Sequence, residues 1–151
     1  MTNYKLLNEQ LKSIIEGVES NISNLANASA LIYNTLEKIN WAGFYLLDKD
    51  YLLLGPFQGK VACTKIKVGS GVCGTAIKNM RTLVVPNVHE FKGHIACDTD
   101  SNSEIVVPLI KDGKAYGVLD IDSPIFDRFK EEDREGLEAL RDILINSINL
   151  E

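Results

Sequence analysis

Apolar residues recur at Leu7, Leu11, Ile14 and Val18, spaced four, three and four apart, which predicts one buried face of a helix over 4–19. Leu25, Ala28, Ile32, Leu36 and Ile39 repeat the pattern and predict a second helix over 24–39, after the break and candidate N-caps of ESNISN. The period then changes. WAGFYLLD (41–48) and YLLLGPFQ (51–58) are aromatic and apolar runs at hairpin distance, and CTKIKVG (63–69) alternates as a third strand. GSGVCGTAIKNM reads as a glycine loop entering a short helix. TLVVPNV (82–88) reads as a strand that its proline confines to an edge or a strand end. Residues 89–103 have no period and form a long loop, the kind of segment that often carries function. EIVVPLI (104–110) and AYGVLDID (115–122) flank the hairpin signal KDGK, and Leu137, Leu140, Leu144 and Ile148 predict a closing helix over 130–150.

The order α-α-β-β-β-α-β-loop-β-β-α, rich in hairpins, predicts an α+β domain: a mainly antiparallel sheet of about six strands with N-terminal and C-terminal helices packed on it. A pocket is expected between the sheet and residues 89–103. The 151 residues suit one domain over 1–151.

Composition narrows the class. Apolar residues make up 45% and charged residues 25%, as in a soluble globular protein. A formal charge of -5, with no basic run, argues against nucleic acid and anionic membrane as partners. The polar start lacks the apolar core of a signal peptide, and YLLL at 51–54 is far too short to span a bilayer, so a cytoplasmic protein is expected. In that reducing compartment three cysteines, an odd number, are not a structural disulfide framework. They leave free buried thiols, a metal site or redox chemistry.

Asp120 and Asp122, two apart on a strand, point the same way. They are either a solvated strand end or one wall of a charged pocket. A three-residue loop from Lys111 to Gly113 would set Glu104 opposite Asp120 on that face; a two-residue loop would set it on the other. Carboxylates gathered without a cation repel, so one pKa rises and that group can act as an acid near neutral pH. Such a cluster suits a ligand with an ammonium group and an atom that needs a proton. Trp41 and Tyr45 share a strand face with Gly43, either as core or as an aromatic wall, and Gly43 between them would leave open space.

Cys73 lies near a helix N-terminus, where the dipole favours a thiolate, or serves as a small buried residue. Cys63 begins a strand beside a loop. Cys97 lies in the long loop, where a thiol is accessible and mobile. A zinc module with His89 or His94 as fourth ligand is the rival account of the thiols, but spacings of 10 and 24 match no common zinc pattern and no C-x-x-C pair exists. No metal and no cofactor are expected. Nucleophile-elbow, P-loop and zinc-protease motifs are absent.

NWAGFY, GKVACTKIKVGSGVCGTA, HIACD, SEIVVPL and GVLDIDS together resemble the free methionine-(R)-sulfoxide reductases of the GAF-domain family, over nearly the whole chain and most strongly from Asn40 to Asp122. The resemblance implies reduction of free L-methionine-(R)-sulfoxide, with Cys97 attacking sulfur, Cys63 resolving and Cys73 as a third family cysteine of less settled role. It implies an aromatic wall of Trp41 and Tyr45 around the substrate methyl. It implies Glu104, Asp120 and Asp122 as the acidic cluster that holds the amino group and polarises the sulfoxide oxygen. It also implies a homodimer recharged by thioredoxin. Asp98 and Asp100 are left as solvated loop residues. The alternative is a stand-alone GAF sensor that binds a small molecule without chemistry; a zinc-stabilised interaction module is the third class.

Overall fold

The computed structural model describes residues 1–95, 97 and 99–148. Two helices come first, α1 (Tyr4–Ile15) and α2 (Asn21–Thr35). Strands β1 (Trp41–Asp48), β2 (Tyr51–Gly59) and β3 (Lys65–Lys67) lead into helix α3 (Gly71–Asn79). Strand β4 (Leu83–Val85), a 3-10 turn (Val88–Glu90), strands β5 (Ser103–Lys111) and β6 (Lys114–Ser123) and helix α4 (Glu131–Ser147) complete the chain. The six strands form one antiparallel sheet in the order β3-β2-β1-β6-β5-β4. The expected α+β architecture and element order are both present. Among the described residues no helix is long and apolar enough to cross a membrane.

The helix ends differ from the periodic reading. Helix α1 stops at Ile15, and its buried stripe is Leu7, Leu11 and Ile15; Ile14 and Val18 are 39% and 38% exposed. Helix α2 starts earlier than expected, because the Ser20 hydroxyl caps it by accepting from the Ser23 N–H at 3.1 Å. It ends at Thr35, so Leu36 and Ile39 lie beyond it. Residues 149 and 150 of the predicted last helix lie outside the described residues.

Alternation along the strands gives the sheet two apolar faces. Ala42, Phe44, Ile105, Val107, Leu119 and Ile121 turn to one side and pack under α1, α2 and α4. Tyr45, Val106 and Val118 turn to the other and meet Val72, Ala76 and Ile77 of α3. Among the described residues α3 is the one α-helix on this second face, so part of the face is left to the 3-10 turn and loops.

Two bulges decide which side chains reach that face. Asp112 and Gly113 form a two-residue turn with both φ positive, 53° and 76°, the backbone that a tight hairpin of matched twist requires. Lys111 therefore pairs with Lys114, and that register alone would bring Glu104 opposite Ile121, on the wrong side. One extra residue on β6 at Tyr116 shifts the ladder, and Glu104 pairs with Asp122 instead. The three-residue turn considered from sequence is absent, yet its consequence, all three carboxylates on one face, is realised by the bulge. On β2 an extra residue near Gly55–Pro56 does the same for Phe57, which pairs with Gly43 and joins the face of Trp41. Proline at a bulge leaves no ladder donor missing.

Candidate active site

The part of the second face that α3 leaves to the loops gathers the candidate site residues. Strand β1 brings Trp41 beside Asp122 and Gly43 beside Asp120; β5 brings Glu104 beside Asp122. Trp41 and Tyr45 are each 2% exposed and stack with ring centroids 5.9 Å apart, and Phe57 also stacks with Trp41 at 5.2 Å. The space expected above Gly43 is occupied: a Cβ there would lie 2.2 Å from the Phe57 Cβ and 2.8 Å from the Trp41 ring. Glycine is needed so that the three rings can close over the strand. Gly43→Ala is expected to lower stability by about 1–3 kcal/mol, as overpacking does. An unchanged urea unfolding midpoint would contradict this.

Above the carboxylates lies a small cavity that opens to solvent. Trp41, Tyr45, Glu104, Asp120 and Asp122 form its floor; Ser70, Gly71, Val72 and Cys73 at the start of α3 form one wall. His94, Ile95, Cys97 and Ser101 close it from the loop that follows the 3-10 turn, as the sequence led one to expect. Across the mouth, Cys63 and Cys97 are joined in a disulfide with Cα atoms 5.4 Å apart. The Lys60 ammonium donates to Asp100 at 2.7 Å and ties the same two segments by charge. Asp100 is thus ion-paired, and Asp98 lies outside the described residues.

Burial sets the protonation of the floor. Glu104 and Asp120 are each 6% exposed. Burial first, then the charges of Asp120 and Asp122, hold the Glu104 carboxyl well above the usual carboxylate range. Burial also raises Asp120, but hydrogen bonds from Glu104, Cys73 and Asp122 act in the opposite direction. Of the two, Glu104 is the carboxyl that its neighbours push toward the protonated form, whereas Asp120's neighbours favour its charge. Asp120 lines the cavity, and its Oδ1 is buried with no hydrogen-bond partner among the described residues.

Cys73 is buried, and its S–H donates to Glu104 Oε2 at 4.0 Å. Burial first, then Asp120, Glu104 and Asp122, push the thiol upward, so it stays neutral despite its place at the start of α3. Of the two sequence readings, the small buried residue holds and the dipole-stabilised thiolate does not. With two thiols joined to each other, Cys73 is the thiol left for a metal. Its sulfur and one oxygen each of Glu104 and Asp120 lie within 4.8 Å of one another. Neither histidine belongs to that group; His89 Nε2 sits 2.8 Å from Asn102 Oδ1.

The structure places Trp41, Tyr45, Cys73, Cys97, Glu104, Asp120 and Asp122 around one cavity, with Cys63 bonded to Cys97. Phe57, Ser101 and the Ser70–Val72 wall were not anticipated. Strand parity could not find Phe57, because the β2 bulge reverses parity between Leu54 and Phe57.

The GAF domain profile matches residues 11–148. The chain is 54% identical over 137 residues to the free methionine-R-sulfoxide reductase of Escherichia coli K12, covering 91% of this chain and 83% of the relative. Among solved structures it is similar to the reduced form of fRMsr of Staphylococcus aureus, with 55% identity, TM-score 0.95, and 99% and 97% of the two chains covered. It is also similar to free methionine-R-sulfoxide reductase from Neisseria meningitidis in complex with its substrate, at 42% identity and TM-score 0.92, over 95% of this chain and 87% of that one.

Proposed function

Since the chain belongs to the GAF-domain family and within it to the free methionine-R-sulfoxide reductases, which are oxidoreductases, we propose that it acts, as one domain over 1–151, on free L-methionine-(R)-sulfoxide through a thiol cycle. The observation that carries this is the Cys63–Cys97 disulfide at the mouth of an acidic, aromatic-walled cavity. It corresponds to the state left after one turnover.

The carboxylates serve the substrate. Its ammonium group sits among Asp120, Asp122 and Glu104 and relieves their repulsion, while Oδ1 of Asp120 gains a donor. Trp41 and Tyr45 flank the methyl group. In the reduced enzyme the Cys97 thiolate attacks the sulfoxide sulfur as protonated Glu104 donates to the oxygen. Oxygen passes to Cys97, which becomes a sulfenic acid, and methionine leaves. The Cys63 thiol then attacks the Cys97 sulfur, the S–O bond breaks, the oxygen departs as water and the disulfide forms. A dithiol protein of the thioredoxin class reduces it by exchange and is itself oxidised. The net change is sulfoxide plus dithiol giving methionine, disulfide and water. Cys73, neutral and bonded to Glu104, helps to hold the acid. The family likeness also supports a homodimer and the reducing cytoplasm as its setting.

The test uses racemic free methionine sulfoxide and its N-acetylated form, with dithiothreitol. Only the R epimer of the free compound should disappear, because acetylation removes the ammonium group that the cluster holds. Equal rates on free and N-acetylated substrate would overturn the proposal, as would loss of the S epimer instead.

A further inference from the structure

The polar atoms of the aromatic wall do not face the substrate space. Nε1–H of Trp41 donates to the Lys60 carbonyl at 3.1 Å, and the Tyr45 hydroxyl donates to the Cys63 carbonyl at 3.0 Å. The two acceptors bracket residues 60–63, a segment in neither helix nor strand, with Val61 89% exposed. Regular pairing of the chain resumes only beyond it, where Thr64 accepts from the Leu54 N–H at 3.0 Å. Ala62 and Cys63 are half-buried against the core, but no strand or helix pairing fixes the segment, and the sulfur it carries must reach Cys97.

We propose that Tyr45, assisted by Trp41, is a positioning residue for Cys63: its hydroxyl anchors the 60–63 segment to β1 in the reduced enzyme and keeps the Cys63 sulfur within reach of Cys97. This rests on the thiol cycle above for its role in turnover, but not for its effect on the disulfide. Once the bridge has formed, the covalent bond holds the segment whether or not the hydroxyl is present. Before it forms, the two ring hydrogen bonds share that task with the exposed Lys60–Asp100 ion pair and the packing of Ala62 and Cys63. Losing the hydroxyl therefore frees the reduced state more than the oxidised one, and closure becomes both slower and less favourable. The anchor persists across the working pH range: burial first, then Asp120, Cys73, Asp122 and Glu104, push the Tyr45 hydroxyl upward, so it remains a donor. One side chain thereby borders the substrate and holds the sulfur that completes the cycle.

Tyr45→Phe keeps the ring and removes the donor, and two measurements read the result. The first needs no substrate. Reduced and oxidised protein are equilibrated in a glutathione redox buffer, and the fraction of Cys63–Cys97 disulfide is counted by alkylation and mass. The equilibrium constant for closure should fall about 2- to 10-fold, the range of one intramolecular hydrogen bond. The second follows the Cys97 sulfenic acid after a single turnover of pre-reduced protein, trapped with dimedone; it should persist longer by a similar factor. A residue that only supports the fold would lower the urea midpoint and leave the closure constant alone. An unchanged closure constant would overturn the proposal, as would an unchanged sulfenic acid lifetime. Absence of methionine from the wild-type protein would remove the reductase reading while the first measurement still decided the positioning role.

Discussion

Replacing Cys97 with serine is expected to abolish methionine formation even in a single turnover, whereas Cys63→Ser should still release about one methionine per chain. The two steps make different demands. Attack needs one sulfur aligned with the substrate sulfur over the acidic floor. Resolution needs only a second sulfur able to approach the first. The disulfide shows that the two sulfurs meet, and both segments border the cavity. Cys97 lies on the loop that closes the cavity beside Ser101 and Ile95, and the proposed cycle gives it the attacking role. Without Cys63 the sulfenic acid has no resolving partner within this pair. Turnover should then stall under thioredoxin and continue with dithiothreitol, a small thiol that reaches the sulfenic acid directly. Cys73→Ser should be the mildest of the three, since its buried thiol stays neutral. The measurement is methionine per chain in a reductant-free burst of pre-reduced protein. A full burst from Cys97→Ser, with none from Cys63→Ser, would reverse the two roles.

Glu104→Gln and Asp122→Asn are expected to slow sulfoxide reduction by ~10²–10⁴-fold, the usual contribution of a placed proton donor, while leaving Cys97 titratable. Glu104 is the stronger case. Its carboxyl is raised by burial and by two neighbouring carboxylates, so it still carries a proton where an exposed glutamate has lost it. The sign of the pH effect follows: the acid is present below the raised pKa and lost above it, so the wild-type rate should decline on the alkaline side. Glutamine cannot ionise, so that decline should vanish in Glu104→Gln along with most of the rate. Asp122 pairs directly with Glu104 across the β5–β6 ladder, and Asp122→Asn removes one of the charges that keep Glu104 protonated. Wild-type rates in both variants would show that these groups are only a solvated strand end.

What the sequence by itself determined was the order of elements and their broad faces. Helical spacing in Leu7 and Leu11, or Leu137, Leu140 and Leu144, and alternation in Ile66 or Val118 and Asp120, follow from the local geometry of helix and strand, which a few neighbouring residues set. The motif set also carried the family. Two pairs of candidate site residues were legible in this way, because even spacing along β1 and β6 puts Trp41 with Tyr45 and Asp120 with Asp122. Parity within one strand, however, says nothing about register between strands. The KDGK turn read alone brings Glu104 to the wrong face, and the Tyr116 bulge corrects it. Phe57 joins the aromatic wall only through a second bulge. Both shifts are settled by how whole strands pack under α1, α2 and α4, a condition spread across the chain. Burial is likewise a tertiary quantity. The dipole of α3 argues from sequence for a Cys73 thiolate, but only the folded site shows that desolvation and three carboxylates outweigh it. The tether from Tyr45 to the Cys63 carbonyl joins residues 18 positions apart with no motif between them, so it exists only once the sheet has formed.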